Sequence, residues 1–251
     1  MNICMNLKIC FASTGSALLG MALASGCRSL PESDLGNSLQ TQPLGTRPTS
    51  TLVDNKSATN TFARSASGNS VTVKVARQAS PWITTDGSTW VQKSSGTKCL
   101  LYDVAYGKGV FVAVGNEGTL LTSPDGVSWA AQNSRTDERL RGIAFGNGTF
   151  VAVGYEGTVI TSKDGVKWKI RNSGTDARLH MVAYDRGTFV VVGWKGMILT
   201  SAKGTWWTVR NSGCSERLDG IAYRDGQFVA SITNRVSRVS ADGIAWKQPG
   251  L

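Results

Sequence analysis

The feature that most constrains this chain is an internal repeat with a period of 39 residues. Five tryptophans mark the period: Trp90, Trp129, Trp168, Trp207 and Trp246. A fixed period of this length is typical of proteins that stack copies of one small structural unit. The sequence therefore predicts five repeats, of which the first is degenerate, at about 58–96, 97–135, 136–174, 175–213 and 214–251.

One repeat divides at its turns into four short strands. In the third repeat, segments at 140–145, 149–153, 158–162 and 166–170 are separated by turns, two of which contain Asn-Gly or Asp-Gly. These dipeptides supply the positive backbone dihedrals of tight β-hairpins. Four antiparallel strands in each repeat predict an all-β protein, a five-bladed β-propeller with one four-stranded blade per repeat.

The segment before the repeats has the composition of an export signal followed by a linker. One charge, Lys8, precedes an apolar run from Ile9 to Ala24, an order typical of a secretory signal peptide over residues 1–26. Residues 28–57 are rich in Pro, Ser, Thr, Asn and Gly and lack hydrophobic periodicity. Such a segment buries too little apolar area to offset its ordering entropy. We therefore expect a flexible tether over residues 27–57 and the propeller over residues 58–251.

The tetrapeptide Ala24-Ser25-Gly26-Cys27 resembles the lipobox of bacterial lipoproteins, with alanine where leucine is usual. The resemblance implies a lipidated Cys27 and a protein anchored in the bacterial cell envelope, on the periplasmic or surface face of a membrane. An ordinary secretory signal with an incidental cysteine is the alternative. Cys99 and Cys214 lie in loops two blades apart in a five-bladed ring, so we expect two separate thiols.

The turn before each tryptophan resembles the Asp-box, or BNR repeat, of the sialidase-like β-propeller superfamily. Ser123 to Trp129 is a representative copy, although Asp and Gly are adjacent here and the family usually has one residue between them. The resemblance implies a structural hairpin in which the aspartate caps turn amides and the aromatic ring packs between strands. The residues given this structural role are Asp86, Trp90, Asp125, Trp129, Asp164, Trp168, Trp207, Asp242 and Trp246.

The pattern of Arg178-Leu179, Gly187-Thr188-Phe189 and Gly193 to Gly196 is similar to the propeller family that includes the photosystem II assembly factors. Some members of that family are tethered as lipoproteins, and they carry arginine at the place of Arg178. Those factors have seven blades, whereas five repeats are counted here. The resemblance therefore implies a fold and a recognition role for this arginine, and not a particular partner.

Two kinds of loop open on the same propeller face near the axis: those from a fourth strand to the next first strand, and those from a second to a third strand. Arginine makes forked hydrogen bonds with carboxylate or phosphate, and aromatic rings stack on sugars or side chains. The candidate partner-binding residues in these loops are Arg139, Arg178, Arg217, Glu117, Glu156, Tyr155, Trp194 and Lys195. The alternative is that the arginines pair with neighbouring acids, namely Asp137, Glu138, Asp176, Glu216, Glu117 or Glu156.

The formal charge of +10 suggests nucleic acid as a partner, but the basic residues are scattered and an exported protein would rarely meet nucleic acid. Sialidase chemistry needs a tyrosine nucleophile assisted by Glu, and an acid Asp, at non-repeating positions, and no such set can be singled out. The single histidine, His180, cannot build a multi-histidine metal site.

We therefore expect no catalytic, cofactor or metal site. The sequence predicts a monomeric, non-enzymatic scaffold that binds a protein or an anionic envelope polymer. The alternatives are a glycan-binding, lectin-like propeller and a sialidase-like glycoside hydrolase.

Overall fold

The computed structural model describes residues 64–232 and 235–250. Within these ranges the chain is all-β, with one 3-10 turn at Trp194–Gly196. The expected signal peptide, Cys27 and the tether lie outside the described residues, as do residues 58–63 of the first repeat. In the described ranges, no helix has the length and apolar character needed to cross a membrane.

The described strands form five antiparallel sheets, and within each sheet the strands follow chain order. The first sheet contains β1 (Arg64–Gly68), β2 (Val71–Val75), β3 (Trp82–Thr84) and β4 (Val91–Gln92). The second contains β5 (Leu101–Gly107), β6 (Val110–Gly115), β7 (Leu120–Ser123) and β8 (Ala130–Ala131). The third contains β9 (Leu140–Gly146), β10 (Thr149–Gly154), β11 (Val159–Ser162) and β12 (Trp168–Arg171).

The fourth sheet contains β13 (Leu179–Asp185), β14 (Thr188–Gly193), β15 (Ile198–Ser201) and β16 (Thr208–Arg210). The fifth contains β17 (Gly220–Arg224), β18 (Gln227–Ile232) and β19 (Arg235–Ser240). In the fifth sheet, the place of a fourth strand is taken by an isolated bridge between Val239 and Lys247. The predicted division of the repeats into short antiparallel strands is confirmed.

Neighbouring sheets pack face to face through apolar side chains. Between the second and third sheets, Val112 and Leu120 pack with Phe150 and Trp168, and equivalent residues fill the other interfaces. The second strands β6, β10 and β14 are buried along almost their whole length, because both faces are covered. The first strands of successive sheets also contact one another, which places them at the inner edge and the fourth strands at the outer edge.

A glycine at the end of a first strand lets the next sheet approach closely. A Cβ atom added at Gly146 would lie 2.0 Å from Cγ of Tyr184, and one added at Gly107 would lie 2.3 Å from Cγ of Phe145. Both rings pack against a phenylalanine of their own sheet; the Tyr184 and Phe189 centroids are 4.6 Å apart. Glycine is required at these positions because the aromatic ring occupies the space that any side chain would need.

The first sheet departs from the repeat on one of its two faces. Ser65, Thr72 and Lys74 stand where the second sheet has Val104, Phe111 and Ala113, and they are only half-buried. The Lys74 ammonium lies 4.0 Å from the centroid of Trp90.

Side-chain hydrogen bonds hold the turn between the third and fourth strands. Asp125 Oδ1 accepts from the Val127 and Ser128 amides at 2.8 Å each, and the Trp129 Nε1 donates to the Gly126 carbonyl at 3.0 Å. The Ser128 amide and then the Val127 amide hold the pKa of the Asp125 carboxyl below its usual range. The turns that contain Asp86, Asp164 and Asp242 have the same carboxylate–amide bonds. These bonds account for the aspartates as turn-stabilising groups.

The two cysteines of the repeats differ in state. Cys214 is a half-buried free thiol, whereas Cys99 is disulfide-bonded. The two are therefore not joined to each other, as expected. The prediction that both are thiols is correct for Cys214 and wrong for Cys99.

Candidate functional site

The loops that carry the candidate residues are fixed by backbone hydrogen bonds. The Tyr155 amide donates to the Arg139 carbonyl at 3.0 Å, and the Trp194 amide donates to the Arg178 carbonyl at 2.9 Å. The Gly157 amide, at the end of the Tyr155 turn, donates to the Ala177 carbonyl of the next interblade loop at 3.0 Å. Each loop therefore contacts the turn of its own sheet and the turn of the sheet before it.

Glycine makes this contact between neighbouring loops possible. Gly157 has a φ of +61°, and a Cβ atom there would lie 1.8 Å from the carbonyl oxygen of Thr175. Gly118 and Gly196 occupy the same place in the second and fourth sheets, with equally close carbonyl neighbours. The spacing of glycines in the repeat thus determines how closely the candidate side chains of successive sheets can approach.

Arginine and aromatic side chains alternate across the second, third and fourth sheets. The Arg178 guanidinium carbon lies 5.0 Å from the centroid of Tyr155 and 4.6 Å from that of Trp194. The Arg139 guanidinium carbon lies 5.0 Å from Tyr155 and 5.8 Å from the centroid of Tyr102. We call Tyr102, Arg139, Tyr155, Arg178 and Trp194 the arginine–aromatic ladder.

Two further contacts extend the ladder. The Arg141 guanidinium carbon lies 4.6 Å from the centroid of Tyr102, on the side of the inner strand β9. The Tyr102 hydroxyl donates to Asn116 Oδ1 at 2.9 Å, which fixes the ring. Neither Tyr102 nor Arg141 was among the predicted site residues. Both lie within first strands, whereas the predicted candidates lie in the loops.

Among the described residues, one of the three candidate arginines, Arg217, pairs with an acid, and that acid, Asp219, is not one of those predicted. Arg217 Nε lies 2.5 Å from Asp219 Oδ1. Neither Arg139 nor Arg178 has a carboxylate within 4.0 Å among the described side chains. Two residues after each arginine the sequence has Arg141, His180 or Asp219, so only Arg217 has an acid at that position. The sequence alone could therefore have distinguished Arg217 from Arg139 and Arg178.

The remaining candidates stand at turn tips beside the ladder. Glu117, Glu156 and Lys195 have positive φ values of 52°, 49° and 54°, and their side chains are exposed. They make none of the stacking contacts of the ladder. The structure thus brings Arg139, Tyr155, Arg178 and Trp194 together and leaves Arg217, Glu117, Glu156 and Lys195 outside the stack. Their roles in binding stay predictions.

A buried carboxyl group lies at the inner edge, near the ladder. Asp103 accepts hydrogen bonds from the Val104 amide at 2.9 Å and from the Ile143 amide of the next sheet at 3.0 Å. Burial raises the pKa of Asp103 to about 6, and the positive charges of Arg64 and Arg141 and the two amides limit the rise. Sequence reasoning missed this residue, although it breaks the repeat: positions 64, 103, 142, 181 and 220 are Arg, Asp, Gly, Met and Gly.

The arginines on either side of this carboxyl group retain unused donors. Arg64 Nη1 and Arg141 Nε are buried without a hydrogen-bond partner. Burial also lowers the pKa of Arg141. A buried donor without an acceptor costs about 1–3 kcal/mol. An anion placed here would supply the acceptor.

His180 is buried in β13, as expected of an ordinary strand residue. Its Nδ1 lies 3.1 Å from the Leu218 carbonyl oxygen. Because a carbonyl oxygen only accepts, Nδ1 carries the proton and donates. The same nitrogen lies 3.7 Å from Asp219 Oδ1. Burial lowers the pKa of His180. Among the described residues, no group of three or more His, Cys, Asp or Glu side chains is placed to hold a metal ion.

No family model matches the chain, and no curated protein matches it either. Solved structures do. The chain is similar to YCF48 bound to a D1 peptide, with 17% identity, a TM-score of 0.52, and coverage of 74% of this chain and 66% of that one. It thus spans just under two thirds of that protein.

Two other similar structures are an enzyme and part of a protein complex. One is an ancestral GH74 enzyme, at 18% identity and a TM-score of 0.52, with 71% of this chain and 29% of that chain covered. Another belongs to the nidogen–laminin complex, at 11% identity and a TM-score of 0.55, with 72% and 76% covered. The TM-scores indicate a common fold, and identities this low leave function open. With its stacked antiparallel sheets, this chain has the β-propeller fold.

Proposed function

We propose that this protein is a non-enzymatic binding scaffold that holds an anionic segment of a partner protein on the arginine–aromatic ladder. The observation that carries the proposal is the state of Arg139 and Arg178. Both guanidinium groups stack on aromatic rings, and neither has a carboxylate partner in the described residues. Arg139 Nη1 donates to the Tyr155 hydroxyl at 3.4 Å, and the remaining N–H groups of the two arginines are the donors that we assign to a ligand.

Stacking prepares the two arginines for a carboxylate. A guanidinium held against a ring keeps its plane fixed, so less side-chain entropy is lost when its fork of donors meets an anion. Arg64 and Arg141, which each have a buried N–H group without a hydrogen-bond partner, add positive charge near the ladder. Trp194 is 42% exposed and gives the ligand an apolar contact beside the charges. Arginine and exposed aromatic residues are the types that dominate the energy of protein interfaces.

Two features inferred from the sequence complete the proposal. The five sheets are taken as five blades of one propeller, and the lipobox-like tetrapeptide is taken to anchor the chain through Cys27 in the cell envelope. The solved structure of YCF48 with a peptide supports a binding role, because it shows that a propeller of similar fold can hold a protein segment.

Glycan binding is the second candidate, because exposed Trp194 and the stacked Tyr155 could also receive a sugar ring. Hydrolysis is less well supported, because glycosidases use a pair of carboxyl groups and the ladder contains none. A glycan array with several equivalent weak sites would favour the lectin. Turnover of fluorogenic glycosides would favour the hydrolase.

The test uses a fluorescent, glutamate-rich peptide as the probe and measures its dissociation constant by anisotropy. We expect the double variant Arg139→Ala/Arg178→Ala to bind at least about tenfold more weakly, because a charge-assisted hydrogen bond contributes about 1.5–3 kcal/mol. Arg217→Ala is the matched control, since Arg217 holds the same repeat position and is already paired with Asp219. Equal affinity in the wild type and the double variant, or equal losses in the double variant and Arg217→Ala, would refute the proposal.

A further inference from the structure

The third and fourth sheets expose large apolar side chains at their outer edge. Trp206, next to the start of β16, is 87% exposed, and Val209 in β16 is 53% exposed. Ile170 in β12 is 58% exposed, and Val166, just before β12, is 49% exposed. We call these four residues the rim patch. Single exposed aliphatic residues are common, but a tryptophan exposed to this extent is not.

Lysines surround the rim patch. Lys163 and Lys203 lie in the turns between the third and fourth strands of these two sheets, and Lys167 and Lys169 alternate with Val166 and Ile170 along the edge. All four are exposed. Asp164, the acid beside these lysines, accepts hydrogen bonds from the amides of its own turn. The rim patch is therefore both apolar and positively charged.

Neighbouring turns of the third and fourth sheets are held together. Asn147 Nδ2, in the turn between β9 and β10, donates to the Ala202 carbonyl of the fourth sheet at 3.4 Å. Gly204 lies against Val151 and Thr161 of the third sheet, 2.7 Å and 3.5 Å from the position of an added Cβ atom. The outer edges of the third and fourth sheets thus keep a fixed relation.

We propose that the rim patch binds directly to the surface of an anionic lipid bilayer. Tryptophan is favoured at the interface between water and lipid because its ring is apolar and its N–H is polar. Lysine stems extend over apolar surface while their ammonium groups reach lipid phosphates. Protein interfaces are instead depleted in lysine and enriched in arginine. The ladder has this arginine-rich composition, whereas the rim patch is surrounded by lysines.

The position of the patch relates it to the ladder. Trp206 follows the turn after a third strand, whereas the ladder is built at the ends of second strands and before first strands. Successive antiparallel strands reverse direction, so these turns lie at opposite ends of a sheet. A strand of five residues spans about 17 Å. A bilayer bound at the Trp206 end would therefore leave the ladder facing away from the lipid.

The test uses the purified full-length chain with vesicles in which part of the phosphatidylcholine is brominated, with or without phosphatidylglycerol. Bromine quenches tryptophan only at short range. The emission of Trp206 is obtained by subtracting the fluorescence of Trp206→Phe from that of the wild type. The emission of Trp194, at the opposite end, is obtained in the same way from Trp194→Phe. We expect quenching of the Trp206 component in anionic vesicles and none of the Trp194 component.

Charge reversal separates this contact from any other membrane attachment of the chain. The triple variant Lys163→Glu/Lys167→Glu/Lys203→Glu should reduce the apparent partition of the Trp206 component by about fivefold for each lysine, or about a hundredfold in all. Lys93→Glu/Lys98→Glu/Lys108→Glu, with the same change of net charge on the first two sheets, should leave it unchanged. High salt should act like the first triple variant.

Three results would each overturn the proposal. They are an unquenched Trp206 in anionic vesicles, equal quenching in neutral vesicles, and equal effects of the two triple variants. Membrane binding by the rim patch does not depend on peptide binding at the ladder. Either one can therefore fail while the other holds.

Discussion

The buried carboxyl group of Asp103 should make the stability of the protein fall as the pH rises from about 4 to about 6. In this range the folded protein still holds a proton on Asp103 that the unfolded chain has released. The folded state then binds more protons than the unfolded state, so a higher pH favours unfolding. The direction is opposite to the behaviour of an ion-paired aspartate, whose pKa is lowered by folding.

The size of the effect follows from the pKa. The change from 3.8 to about 6 is about 2 units, and each unit corresponds to about 1.4 kcal/mol, so about 3 kcal/mol is lost across the range. The turn residues Asp125, Asp164 and Asp242 have lowered pKa values, so their contribution is lost only at lower pH, below about 4. The two effects therefore fall in different pH windows.

The assay is urea unfolding of the wild type and Asp103→Asn from about pH 4 to about pH 7, followed by tryptophan fluorescence. Asparagine cannot ionise, and its amide faces the Val104 and Ile143 amides at a cost that does not change with pH. The difference between the two free energies of unfolding should therefore change by about 3 kcal/mol in favour of the variant. Parallel pH profiles of the two proteins would refute the reasoning.

Three further predictions concern stability measured by urea unfolding. Gly146→Ala should cost about 2 kcal/mol or more, because the new Cβ atom would meet the Tyr184 ring; a loss below about 0.5 kcal/mol would contradict this packing. Asp164→Ala should lower the free energy of unfolding by about 1–2 kcal/mol, because the bonds from the carboxylate to the turn amides are lost. Lys203→Asp should raise it by about 1 kcal/mol, because it would supply the same carboxylate–amide bonds in the fourth sheet. An unchanged stability in either variant would show that these bonds matter little. Phe150→Ala should cost about 3–5 kcal/mol, since Phe150 is fully buried; a smaller cost would mean that the two sheets close over the cavity.

Much of the fold could be predicted because the signals are local. The Asn-Gly and Asp-Gly turns, and the hydrogen bonds from Asp125 to amides two and three residues later, depend on a few adjacent residues. Burial of β6, β10 and β14 follows from strands that are apolar on both faces. The same reasoning located the loops of Arg139, Tyr155, Arg178 and Trp194, because repetition places equivalent loops on one face.

The finer arrangement of the site could not be predicted from the repeat. Arg178 stacks on Tyr155 of the preceding sheet and on Trp194 of its own, and these distances depend on how the sheets pack. Asp103 is buried because the Ile143 amide, forty residues later in the chain, closes over it. The repeat made three arginines look equivalent, and the contact between Arg217 and Asp219 distinguishes one of them.

The sequence alone determined the 39-residue period, the short strands and the turns that join them, because each depends on residues adjacent in the chain. Only the tertiary structure decided which charges are paired, stacked or buried. Those states depend on distances between sheets and on the exclusion of water. Glycines such as Gly157 allow the close approach, but only packed sheets make Arg139 and Arg178 a pair of stacked cations with no carboxylate partner among the described residues.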